Sequence, residues 1–168
     1  DHVELFTDNA EPVSYDCAVV ATHADQAIKM IPDLTLEERE VLEAFPYQEN
    51  PTILHMDSEL MPKKRKTWAS WNYHITRYED EPVGVSYNMN ILQGLDSQDN
   101  FIVSLNRSHG IDTDKILRTM SYEHPVFTEA SIPAQKRQDE INGLRRTYFC
   151  GAYWRYGFHE DGLVSALN

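Results

Sequence analysis

The 168 residues carry 15 Lys+Arg against 27 Asp+Glu, a formal net charge of −12, and the length suits one domain or parts of two. With 41% hydrophobic and 25% charged residues there is enough apolar material for a buried core, which excludes disorder, collagen and coiled coil as overall descriptions. An acidic balance of this size repels phosphate backbones, so no nucleic-acid partner is expected. The basic run Lys63-Lys64-Arg65-Lys66 follows Pro62 and reads as a solvated turn between two strands.

No stretch approaches the roughly 20 apolar residues of a membrane span, and the first residues lack the layout of a signal peptide. Cys17 and Cys150 sit in apolar runs, where reduced cysteine packs as a small hydrophobe, so both are expected in the core of a cytoplasmic protein. The sequence opens Asp1-His2-Val3-Glu4 without methionine, already strand-like, and is expected to be part of something longer.

In chain order, residues 3–7 and 13–22 are β-rich and flank the turn formers of 8–12, predicting a hairpin that feeds a buried strand. The unalternating apolar run Cys17–Ala21 fits a parallel strand covered on both faces. Ala24, Ala27, Ile28 and Ile31 then fall at helical spacing before Pro32. Thr35-Leu36-Glu37-Glu38 is a capping box, with Leu36, Val41, Leu42 and Phe45 as the expected buried face of a second helix ended by Pro46.

Between Thr52 and Leu105 the period becomes two, with strands expected at 52–56, 68–75, 83–90 and 101–105 in an antiparallel sheet of about four strands. Val83, Val85, Tyr87 and Met89 share one face; Gly84, Ser86, Asn88 and Asn90 share the other. One face is expected to be packed and the other polar or ligand-facing. Asp112-Thr113-Asp114 predicts the cap of a helix carrying Ile116, Leu117 and Met120, followed by an extended Glu123–Phe127. A polar stretch, 135–146, leads to an apolar strand at 147–151, a Gly157 turn and a helix over about 160–167.

Several chemistries are absent from the sequence. The seven histidines show no H-x-x-x-H or H-E-x-x-H spacing and the two cysteines are isolated, so no metal site is expected. There is no G-x-S-x-G, no P-loop with its Lys-Ser/Thr, and no G-x-G-x-x-G. What remains lies at the two ends: Tyr15–Thr22, ending in Ala21-Thr22, and Phe149–Leu167, with glycines at 151, 157 and 162. Glycine at a strand end or helix start allows close backbone approach, and a helix N-terminus attracts anions. A buried strand with a C-terminal helix packed on it reads the same residues equally well.

Together, Asp16–Gln26, Trp68–Tyr73, Tyr87–Leu95, Tyr122–Phe127 and Phe149–Leu167 resemble FAD-dependent oxidoreductases of the flavin-containing amine oxidase, protoporphyrinogen oxidase and phytoene desaturase type, in their C-terminal half. The resemblance implies an α+β (mixed α/β) fold. It has an antiparallel substrate-domain sheet with helices, flanked by N- and C-terminal segments of a Rossmann-like FAD domain: 1–32 flavin domain, 33–146 substrate domain, 147–168 return to the flavin domain. It implies FAD in the full-length parent, near Ala21, Thr22, Gly151, Gly157, Gly162 and Ser165, and a small-molecule substrate near Trp71, Tyr73, Tyr87, Asn88 and Asn90. His159, beside the implied flavin helix, is the candidate catalytic residue.

The sequence departs from the family where Gly151-Ala152 replaces the Gly-Asp or Gly-Glu that holds the ribityl chain. With no first Rossmann fingerprint here, the ADP half of FAD would have to be held by an upstream segment, and this portion alone is expected to be inactive. The alternative is a stand-alone ligand-binding or protein-interaction module.

Overall fold

The computed structural model of the chain describes residues 2–8, 10–75 and 83–167. Two compact units are present, Asp1–Gln48 with His124–Asn168, and Glu49–Glu123. The first unit is thus assembled from both ends of the sequence, and the second from its middle.

The first unit starts with β1 (Val3–Leu5) and β2 (Val13–Tyr15), an antiparallel pair with Val3 opposite Tyr15. This is the expected hairpin, although Asn9 of its turn lies outside the described residues. Next come β3 (Ala18–Val20), α1 (Ala24–Met30) and α2 (Leu36–Glu43). The capping box forms as predicted: Thr35 Oγ1 accepts the Glu38 N–H at 3.1 Å, and the Glu38 carboxylate accepts the Thr35 N–H at 2.7 Å. Val41, Leu42 and Phe45 are buried, but Leu36 is 83% exposed. The reason is angular: Leu36 and Val41 are five residues apart, so at 100° per residue they point about 140° apart.

The second unit holds most of β4 (Tyr47–His55), then β5 (Trp71–His74), β6 (Gly84–Asn88), α3 (Met89–Gln93), β7 (Ile102–Leu105) and most of β8 (Ile116–Pro125). Among the described residues its sheet has five strands in the order β5-β6-β7-β4-β8. The basic run forms an exposed turn between β4 and β5, with a single 3-10 turn at Arg65–Thr67.

The fifth strand, β8, corrects the helix expected after Asp112. The Asp112 carboxylate accepts the Asp114 N–H at 3.1 Å but starts only a 3-10 turn, Thr113–Lys115. Ile116, Leu117 and Met120 suit a helix by spacing, yet as a strand Ile116 and Met120 share a half-buried face while Leu117 turns outward, 48% exposed. The 83–90 strand is likewise shorter than expected, because the Asn88 carboxamide accepts the Ile91 N–H at 3.1 Å and starts α3.

The sheet also inverts an expectation about its faces. Register aligns Trp71, Tyr87, Val103 and Leu54 in one cross-strand row, and Asn72, Ser86, Ser104 and Ile53 in the next, on the opposite face. The polar-patterned face is the buried one: Gly84, Ser86 and Asn88 are inside, whereas Val85 and Tyr87 are half-buried. Alternation fixes which residues share a face; it does not fix which face is covered when the polar groups satisfy one another.

The chain returns to the first unit through α4 (Ser131–Ala134), α5 (Gln138–Ile141), β9 (Thr147–Phe149) and α6 (His159–Leu167). The expected polar stretch, 135–146, is thus partly helical and buries Ile141. β9 pairs parallel to β3, with Val19 opposite Tyr148. Ala24, Ala27, Val41, Leu42, Phe45, Ile141, Phe149, Tyr153 and Trp154 form the core. The expected coverage of β3 on both faces does not hold, since Val19 is 62% exposed and Tyr148 43%. Cys150 is buried, but Cys17, one residue ahead of the first paired position, is exposed; both are free. The fold is mixed α+β, and among the described residues no helix is long and apolar enough to cross a membrane.

Candidate functional site

Parallel pairing brings the carboxyl ends of β3 and β9 out side by side, the edge at which open α/β sheets take ligands. Ala21-Thr22 leaves one strand and Gly151 follows the other by one residue. A Cβ on Gly151 would collide with the ring of Tyr153 and stand 3.3 Å from the Thr22 carbonyl oxygen. Only glycine fits between them. The Gly151 N–H donates to Ser165 Oγ at 2.8 Å, and that hydroxyl donates to the Gly162 carbonyl at 2.7 Å. Thr22, Gly151, Gly162 and Ser165 therefore meet at one place in the first unit. Gly157, at φ +90°, makes the turn before α6, and its N–H donates to the Ala152 carbonyl at 3.1 Å.

The electrostatics of this edge are set by the chain itself. Asp161, 6% exposed, turns its carboxylate back to accept the Phe158 N–H at 2.9 Å, so an anion already occupies the start of α6. At the start of α1 the His23 N–H donates to the Gln26 side chain, and the Ala24 N–H donates to the Tyr47 hydroxyl at 3.0 Å. His23 stacks on Tyr47 with ring centroids 4.5 Å apart. Burial pushes the Tyr153 phenol far above its ordinary range and the Cys150 thiol up, so both stay neutral. His159 is exposed at the first position of α6, and Ala21 is exposed as well.

In the second unit Trp71, Tyr73 and Tyr87 share one face. The Trp71 and Tyr87 rings meet edge to face at 5.4 Å, Trp71 and Tyr73 are mostly exposed, and burial raises the Tyr87 phenol. Asn88 and Asn90 are placed differently. Asn88 is buried on the opposite face, where it caps α3. Asn90, in α3, donates to the Asp99 carbonyl and accepts the Phe101 N–H at 2.8 Å, fastening the connection to β7.

Sequence reasoning missed a line of polar side chains on the buried face. His55 Nε2 lies 2.9 Å from Ser104 Oγ, which lies 2.7 Å from Ser86 Oγ, which lies 2.8 Å from His74 Nε2. Beyond His55, Asp57 accepts the Glu59 and Asp112 N–H groups and an ammonium hydrogen of Lys115. Burial alone would raise the Asp57 pKa, but those donors outweigh it and hold the carboxyl below its usual range. The available signal was the recurrence of His and Ser at strand positions that register aligns.

No family model and no curated protein matches the chain. Among solved structures, the crystal structure of a CLA-producing fatty acid isomerase from P. acnes matches with a TM-score of 0.60 at 13% sequence identity, over 96% of this chain and 42% of that one. The likeness is one of fold. The chain spans less than half the length of that enzyme.

Proposed function

We propose that the chain is the substrate-domain-bearing, C-terminal portion of an FAD-dependent oxidoreductase resembling the amine oxidases, with an upstream Rossmann segment as its partner within the same protein. The observation that carries this reading is the discontinuous layout. Residues from both ends pair as parallel strands around a middle segment with its own antiparallel sheet, and the fold neighbour matches nearly all of this arrangement. A two-stranded parallel sheet with an exposed face is also poor at sustaining itself, which favours further strands beside it.

The residues fit one part of FAD and not another. Ala21, Thr22 and Gly151 form a small-residue edge at two strand ends, suited to close contact with a flat ring or ribityl chain. A diphosphate does not fit at α6, where the Asp161 carboxylate already accepts the Phe158 N–H. That half of the cofactor falls to the upstream segment. When bound, FAD supplies the redox step, taking a hydride from a substrate amine or C–C bond. Trp71, Tyr73 and Tyr87 offer an apolar surface for the substrate, and an apolar chain suits it better than a charged amine; the fold neighbour's description as a fatty acid isomerase favours the same class.

The internal use of Ser165 and Asp161 favours a second reading, a non-enzymatic binding module. The coding sequence upstream of Asp1 separates the two. A continuing frame through strand, G-x-G-x-x-G and helix supports the flavin reading; a start codon immediately upstream contradicts it.

A further inference from the structure

The His55–Ser104–Ser86–His74 line crosses four adjacent strands, β4, β7, β6 and β5, and one backbone group sets its direction. His55 Nδ1 accepts the Asp57 N–H at 3.2 Å. A neutral imidazole has one donor and one acceptor nitrogen, so the His55 proton sits on Nε2 and is donated to Ser104. The arrangement that uses both hydroxyl hydrogens within the line has Ser104 donating to Ser86 and Ser86 to His74 Nε2. In that arrangement His74 carries its own proton on Nδ1. Both serines and His55 are fully enclosed and His74 is half-buried, so water does not relieve a mismatch at the serines.

A proton added to His74 Nε2 turns that acceptor into a donor. Accommodating it turns Ser86 to donate to Ser104, which then accepts from both Ser86 and His55 Nε2, so the Ser104 O–H is left with no partner along the line. A hydroxyl hydrogen is then orphaned in an enclosed site. Giving up the His74–Ser86 link instead avoids that orphan, and this link lies at the edge: among the described residues β5 pairs with β6 alone, whereas β6, β7 and β4 each have two neighbours. We propose that this side-chain line is a proton-sensitive latch on the edge strand, closed while both histidines are neutral and opened by protonation of His74, which frees β5 with its outward Trp71 and Tyr73.

The charges around the line agree with that assignment. At the His74 end, Arg107 from the segment after β7 packs beside Gly84, whose Cβ position is 3.4 Å from His74 Cβ and 3.6 Å from Arg107 Cβ. Burial first, and the Arg107 guanidinium second, hold His74 below its ordinary pKa. At the other end burial lowers His55, opposed by the Asp57 carboxylate. That carboxylate is engaged by Lys115 at 3.1 Å and by the Asp112 and Glu59 N–H groups. Folded pKa values lowered in this way give stability that is complete above the ordinary histidine value of about 6.5 and is lost as pH falls through the folded values.

The test is nitrogen-15 NMR of the imidazoles, with amide exchange, on the whole 168-residue chain from about pH 8 to about pH 5. At the upper end His55 is expected as the Nε2–H tautomer and His74 as the Nδ1–H tautomer. Protonation of His74 is expected to lower the exchange protection of Trp71–His74 by about five- to tenfold, the worth of one hydrogen bond, while β7 keeps its protection. In Ser86→Ala, which lacks the link to β5, the His74 titration is expected to leave the β5 protection unmoved. The proposal is overturned if the wild-type tautomers are otherwise, or if β5 protection does not change as His74 protonates. Both of those readings use the wild-type chain and stand whether or not the variant folds.

Discussion

Gly151→Ala tests the close approach at the carboxyl ends of β3 and β9. The backbone there is extended, with φ 165°, so alanine costs nothing in conformation and should even stabilise by about 0.4–1 kcal/mol through the unfolded chain. Against this, the new methyl would collide with the Tyr153 ring and crowd the Thr22 carbonyl at 3.3 Å. Tyr153 cannot step aside cheaply, because it is 2% exposed and packs on Phe45 and Trp154 with ring centroids 5.0 Å away in each case. Overpacking of this kind costs about 1–3 kcal/mol, so the clash wins and the net loss should be about 1–2 kcal/mol. Urea denaturation reads it as a midpoint lowered by about 0.5–1 M for a slope near 2 kcal/mol/M. In a Tyr153→Leu background the same substitution should become nearly neutral, as the coupled pair is then gone. An unchanged midpoint, or an equal loss in both backgrounds, would refute the steric argument.

Ser165→Ala should cost about 1–2 kcal/mol, because the Gly151 N–H loses its acceptor and the Gly162 carbonyl its donor; a Gly151 amide whose exchange stays unaltered would count against it. Asp57→Asn should cost about 2 kcal/mol at neutral pH, through the lost charge opposite Lys115 and one oxygen fewer for two backbone donors. Since the folded Asp57 pKa is lowered, its stabilisation is present above about 3.9 and lost as pH falls through the folded value. The gap between wild type and Asp57→Asn should therefore close in acid, and a gap independent of pH would contradict the assignment.

Local signals were legible where one short-range interaction decides the outcome. The Thr35–Glu38 box, the helix over Ala24–Met30 and the period-two strands at β6 and β7 follow from patterns a few residues long. The strand at Ile116–Pro125 was not legible, because Ile116, Leu117 and Met120 satisfy a helical spacing as well as an alternating one, and sheet pairing far along the chain decides between them. The same holds for the sheet's faces: the buried serines become reasonable only once register sets Ser86 beside Ser104 and Ser104 Oγ beside the His55 ring. At the candidate site, glycine at 151 was readable as a close approach, whereas the Asp161 carboxylate turning back on Phe158 depends on the geometry of the Gly157 turn.

The most direct test of the flavin reading is an equilibrium titration of FAD into two proteins, the 168-residue chain and the product of the complete reading frame that encodes it, followed by the visible flavin spectrum and its quenching. The account predicts tight, spectrally perturbed flavin in the complete product and no saturable binding by the 168 residues, in which the Asp161 carboxylate already caps the start of α6. A complete product that never retains flavin would contradict it.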